Sequence, residues 1–130
     1  MRLLLDTHIL LWWVSGDRKL SKALRAAIAS ADNAIAISAA TFWELAIKKQ
    51  LGRVEVDLAK LQSAVAADGF EEMAVEIAHT LRLQALPDLH RDPFDRLLIA
   101  QSIEGGCRLV TRDEQILAYA GTAGFDPLKA

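Results

Sequence analysis

Residues 3–8 read LLLDTH, and residues 9–14 continue as ILLWWV. Two apolar runs are separated by Asp6, Thr7 and His8. A run without polar alternation suits a strand buried on both faces, the kind found in parallel sheets. Residues 2–5 therefore read as a short inner strand, and THILLWWVSG as a helix ending near Gly16. Asp6 falls at the junction between them. In parallel α/β folds ligands bind beyond the carboxyl ends of the strands. A carboxylate at that junction either caps the helix or serves a site, and taken alone the two readings are level.

The same alternation continues along the chain. Ser21 is placed to cap KALRAAIASA, AIAIS (34–38) repeats the buried-strand pattern, and AATFWELAIKKQLG follows as a helix closed by Gly52. Ser38 or Thr41 would cap that helix, and Thr41 with Glu44 fits a capping box. LAKLQSAVAADG (58–69) is an amphipathic helix, and FEEMAV offers a third strand. IAHTLRLQAL is helical up to Pro87. PFDRLLIAQSIEGG has proline in its first turn and glycines at its end, the usual asymmetry of a helix. CRLVT reads as a strand, DEQILAYAG as a helix, and GFDPLKA as a last short strand. Strands alternating with helices predict a three-layer α/β/α domain around a central parallel sheet. Residues 1–130 would form one such domain, without repeat, linker or low-complexity tract.

Bulk properties agree. With 52% hydrophobic and 25% charged residues, the chain can build a core and is not disordered. No run is long enough to span a membrane, and an apolar stretch preceded by an acid argues against a signal peptide. Cys107 is the only cysteine, which excludes an intrachain disulfide and a multi-cysteine zinc site. These features predict a cytoplasmic protein. The formal net charge of −2 excludes a passively basic nucleic-acid binder but not an enzyme that meets phosphate through a metal ion.

Four further acids share the placement of Asp6. Asp113 follows CRLVT after one arginine, and Glu44 lies about two turns into the helix after AIAIS. Asp92 and Asp95 stand at the start of PFDRLLIAQ. Asp92 is the natural cap before Pro93, Asp95 suits the helix dipole, and Asp113 is as well explained as a cap as by function. Glu44 has Lys48 one turn on, but its company of Phe42, Trp43, Leu45, Ala46 and Ile47 favours a functional carboxylate. Carboxylates brought together repel, so their pKa values rise or a cation neutralises them. Oxygen-only ligands suit Mg²⁺ or Mn²⁺ rather than zinc. His8, His79 and His90 lack paired ligand spacing and are better read as structural. Thr7 and Ser38 are supporting candidates, with capping an equal explanation. Arg91, Arg96, Arg112, Lys48 and Lys49 are candidate contacts for a nucleic-acid backbone, although a solvated surface is the stronger reading for most.

LLLDTH, ATFWELAIKKQLG, HRDPFDRLLIAQS and RLVTRDEQI resemble, in order and over nearly the whole chain, the acidic motifs of PIN-domain proteins. The compact bacterial type, similar to VapC toxins of toxin–antitoxin modules, matches best. The resemblance implies a metal-dependent ribonuclease with Asp6, Glu44, Asp95 and Asp113 as catalytic and metal-binding acids and Asp92 in support. It also implies an RNA substrate and a neutralising antitoxin partner. TRDEQI departs from the pattern, with Glu114 and Gln115 where many relatives carry another Asp and an aromatic. Two alternatives remain: a phosphoacceptor domain of receiver type, and a non-catalytic PIN-like binding module. The receiver reading lacks an acidic pair after the first strand and a lysine after a late one. ILLWWV is apolar around its circumference, so Trp12 or Trp13 is expected to be partly exposed. It would serve an antitoxin or a homodimer contact unless KALRAAIASA covers it.

Overall fold

The computed structural model describes all residues 1–130. Five strands, β1 (Arg2–Leu5), β2 (Ala34–Ser38), β3 (Glu71–Met73), β4 (Arg108–Thr111) and β5 (Leu128–Lys129), form one sheet in the order β3-β2-β1-β4-β5. Every pairing is parallel. The helices are α1 (Thr7–Ser15), α2 (Lys22–Ala29), α3 (Ala39–Gln50), α4 (Leu58–Ala67), α5 (Ile77–Gln84), α6 (Pro93–Gly105) and α7 (Glu114–Leu117). A receiver-type sheet runs 2-1-3-4-5, so this strand order removes the phosphoacceptor alternative.

The pleat of β1 divides the core. Leu3 and Leu5 join Ile35, Ile37 and Val110 beneath α1, α2 and α4, whereas Leu4 joins Ala36 and Leu109 beneath α6 and α7. Alternate residues of a strand point to opposite faces, and both faces are covered here, which is why the strand shows no polar alternation. The three layers are those expected from the sequence. The helix expected over 113–121 is shorter: α7 ends at Leu117 and gives way to turns.

Caps set most boundaries. Ser21 accepts the Leu24 N–H, and Ser38 accepts that of Ala40. The Thr41–Glu44 capping box does not form. Ser38 takes the cap, Thr41 lies inside α3, and Glu44 bonds elsewhere. Gly16, at φ 68°, ends α1 in the left-handed conformation that glycine adopts without strain.

Helix α1 is covered more completely than its composition suggests. Ile9 and Leu10 are buried, and Leu11, Trp12 and Trp13 pack on the core edge while staying partly exposed. Trp13 lies against Phe70, its indole N–H donates to Asp68 at 2.9 Å, and Arg25 of α2 covers its ring.

Candidate active site

The sheet order reverses between β1 and β4. A crevice opens there because the connections from the two strands leave in opposite directions. Asp6 follows β1 and Asp113 follows β4 by one residue, so both stand at this point.

Asp6 caps α1 and is only 5% exposed. One carboxylate oxygen accepts the Ile9 N–H at 3.0 Å, and the other accepts the Thr111 hydroxyl at 2.5 Å. Burial pushes its pKa up despite those two hydrogen bonds, and the nearby Asp113 charge pushes the same way. Thr111 Oγ1 also accepts the Asp113 N–H at 3.0 Å, which ties the ends of the two strands together. The sequence reading overlooked Thr111. Its only sequence signal is a hydroxyl at the end of a buried strand.

Glu44 comes from α3 and is also 5% exposed. Thr7 donates to it at 2.6 Å, and Lys48 lies 2.9 Å from its other oxygen. The Lys48 pairing and the buried carboxylate thus coexist. Asp95 stands in the first turn of α6, where Asp92 caps the helix by accepting the N–H groups of Phe94 and Asp95. Desolvation raises the Asp95 pKa to about 6, against the hydrogen bond from His90, and the charges of Asp92, Asp113 and Glu44 add to the rise. Acids from α3, α6 and the β4 exit are therefore near enough to act on one another. Trp43 and Phe94, the neighbours of Glu44 and Asp95, meet edge to face at 4.9 Å and hold α3 against α6.

The four acids do not form the tightest cluster. The one group of three metal-ligating side chains whose ligand atoms all lie within 4.8 Å of one another is His90, Asp92 and Asp95. His90 Nε2 is 2.8 Å from Asp95 Oδ2, so this histidine touches one of the candidate acids. His8 is exposed, and His79 is buried and completes the capping box of α5. Asp113 caps α7 and is exposed. Ser38 hydrogen-bonds none of the four acids. It is fully buried, and its hydroxyl donates to Gln101.

The connector carrying His90 is held from beneath. The Arg96 guanidinium donates to the carbonyls of Leu83, Pro87 and His90 and to the Tyr119 hydroxyl. That hydroxyl also accepts the N–H groups of Leu89 and His90, and Tyr119 is fully buried. Arg96 is thus committed within the protein and is not a free contact for nucleic acid.

The donor set fits a hard divalent cation. The carboxylates supply oxygen ligands, Asp6 and Asp95 are held above their ordinary range by burial, and the only lysine or arginine paired with any of the four acids is Lys48, on Glu44.

An all-parallel α/β domain with a carboxylate-lined switch point is the class defined so far. The chain belongs to the PIN domain family, whose profile matches residues 3–122. It is 32% identical over 118 residues to Ribonuclease VapC22 of Mycobacterium tuberculosis, spanning 89% of this chain and 90% of that protein. The fold matches the crystal structure of VapBC2 from Rickettsia felis, bound to a DNA fragment from its promoter (TM-score 0.71, 18% identity, 99% of this chain and 98% of that one). VapBC-5 from Mycobacterium tuberculosis, a member of the VapBC toxin–antitoxin family, matches with TM-score 0.66, 18% identity and the same coverage of both chains. No helix of this chain is long and apolar enough to cross a membrane.

Proposed function

We propose that this protein is a divalent-metal-dependent endoribonuclease that hydrolyses RNA phosphodiester bonds. In this reading it is the toxin of a bacterial toxin–antitoxin pair, acts in the cytoplasm and is neutralised by an antitoxin protein. The relative named as a ribonuclease and the toxin–antitoxin assemblies that share the fold support this reading. One observation carries it: Asp6, buried at the switch point, and Asp95, half-buried beside Asp92 and His90, come from different parts of the chain and both have raised pKa values. Isolated caps do not need that environment, whereas a cation site does.

Asp6, Glu44, Asp95 and Asp113 would hold Mg²⁺ or Mn²⁺. Such an ion supplies acidified water and positive charge against the scissile phosphate. The chain's own residues fix the geometry. The Ile9 N–H and the Thr111 hydroxyl aim the two oxygens of Asp6. Thr7 fixes one oxygen of Glu44, and Lys48 neutralises the other. Asp92 anchors the turn that presents Asp95, and His90 holds one oxygen of Asp95. Preorganisation of this kind is where much of an enzyme's electrostatic advantage arises.

The test is incubation with total cellular RNA in Mg²⁺, in Mn²⁺ or in EDTA. Fragmentation with either metal and none in EDTA is expected. Intact RNA under all three conditions would refute catalysis and leave the non-catalytic binding module. Cleavage that survives EDTA would refute the metal.

A further inference from the structure

Resting on the ribonuclease reading, we propose that Trp12, His8, Arg112 and Lys19 form a binding strip for single-stranded RNA that leads away from the carboxylates. Two of these residues are neighbours of site acids. His8 lies two positions after Asp6 at the exit of β1, and Arg112 immediately precedes Asp113 at the exit of β4. Both side chains converge on the Trp12 ring, His8 at 6.1 Å between centroids and Arg112 at 5.3 Å from guanidinium to ring. Lys19 approaches the same ring at 5.8 Å, and the Arg112 guanidinium donates to the Lys19 carbonyl. Trp12 is six positions beyond Asp6, so the strip extends ~9 Å along α1 from the acid.

Charge selects the occupant. The ion pairs of the protein involve Arg2, Lys48, Arg82, His90, Arg108 and Lys129, so Arg112 and Lys19 have no carboxylate partner. His8, Lys19 and Arg112 are all exposed, and Trp12 is half-exposed. Uncompensated cations around an aromatic ring, in a chain of net charge −2, match a strand that offers phosphates and bases in alternation. Trp13 has no such role, because its ring packs on Phe70 and its indole N–H is committed to the carboxylate of Asp68. The strip also answers a problem of the site: carboxylates repel the polyanion they would cut, and adjacent cations draw it in.

The test measures binding apart from cleavage. A 5′-fluorescein single-stranded RNA of mixed sequence is titrated by anisotropy against Asp95→Asn protein, which leaves the strand uncut. Adding Trp12→Leu should weaken binding about tenfold, the effect of losing one stacked base, while Trp12→Phe should retain most of the affinity. Arg112→Gln with Lys19→Gln, both at exposed positions, should lower the slope of log affinity against log salt by about 1.4, or ~0.7 per lost phosphate contact. Wild-type affinity and salt slope in both the Trp12→Leu and the double variant would overturn the proposal and hand the strip to a protein partner. Failure of the ribonuclease reading is separate, since it appears as absence of cleavage by the unsubstituted protein.

Discussion

Asp95→Asn should stabilise the metal-free protein at neutral pH. Asparagine keeps the shape of a protonated aspartate without its charge. The carboxyl titrates near 6 in the folded state against 3.8 ordinarily, which corresponds to at most about 3 kcal/mol of burial and repulsion once it ionises. Partial exposure reduces this to about 2 kcal/mol. The hydrogen bond from His90 lowers the Asp95 pKa and is therefore already contained in that difference. The gain of ~2 kcal/mol corresponds to a rise in Tm of roughly 6–10 °C for a chain of this length. The sign with pH follows from linkage. A raised carboxyl pKa means the folded state holds its proton more tightly, so that contribution to stability is present below pH 4 and lost as pH rises towards and through 6. Calorimetric melts in EDTA from pH 4 to pH 8 should therefore show the variant and wild type converging in acid and separating above pH 6, with the variant higher. Excess Mn²⁺ should then raise the wild-type Tm and leave the variant nearly unmoved, because only a ligand that binds the folded state shifts the equilibrium. A variant less stable than wild type at pH 7.5, or a gap that does not change with pH, would refute the electrostatic account of Asp95.

Thr111→Val removes the bridge between Asp6 and Asp113; cleavage should fall more than tenfold while circular dichroism stays native, and full activity would show that the bridge is dispensable. Asp92→Ala should cost about 1 kcal/mol in urea melts as a lost cap, and abolished cleavage at unchanged stability would instead make Asp92 a ligand. Tyr119→Phe leaves the Leu89 and His90 N–H groups without their acceptor, so hydrogen exchange at those two amides should accelerate and Mn²⁺ affinity should drop; unaltered exchange would show that Arg96 alone holds the connector. With Trp43 and one of the α1 pair replaced, iodide should quench Trp12 more than Trp13, and antitoxin binding should shield whichever indole it covers. Equal quenching would contradict the packing of Trp13 on Phe70.

The strands and the acids were legible because each rests on local chemistry. An apolar run bounded by a carboxylate has few structural solutions, and β1 with Asp6 is one of them. Asp92 before Pro93 and Gly106 after α6 likewise mark helix ends from sequence alone. What escaped depends on neighbours distant in the chain. Glu44 looked like half of a capping box with Thr41, yet its partner is Thr7 of another helix. His90 showed no ligand spacing because its partner comes five positions later, across a connector bent by Arg96 and Tyr119. Ser38 was equally a cap or a site residue on paper, and the structure shows the cap, through the Ala40 N–H, together with a bond to Gln101 that no local pattern announces. Arg96 resembled any surface arginine until four acceptors claimed it.

The position of β1 at the centre of the sheet has a consequence for the order of events during synthesis. β1 leaves the ribosome well before β4, with which it pairs on one side and which lies more than a hundred positions later. Asp6 therefore waits for Thr111, and the carboxylate crevice closes only after β4 has been made. At ~5–20 residues per second of translation, that wait lasts many seconds. An unfinished chain would carry Asp6 and Glu44 but neither the β4 exit nor the connector latch. In the ribonuclease reading, activity is thereby confined to chains that include β4, and truncation before Thr111 should abolish it even with Asp6, Glu44 and Asp95 all present.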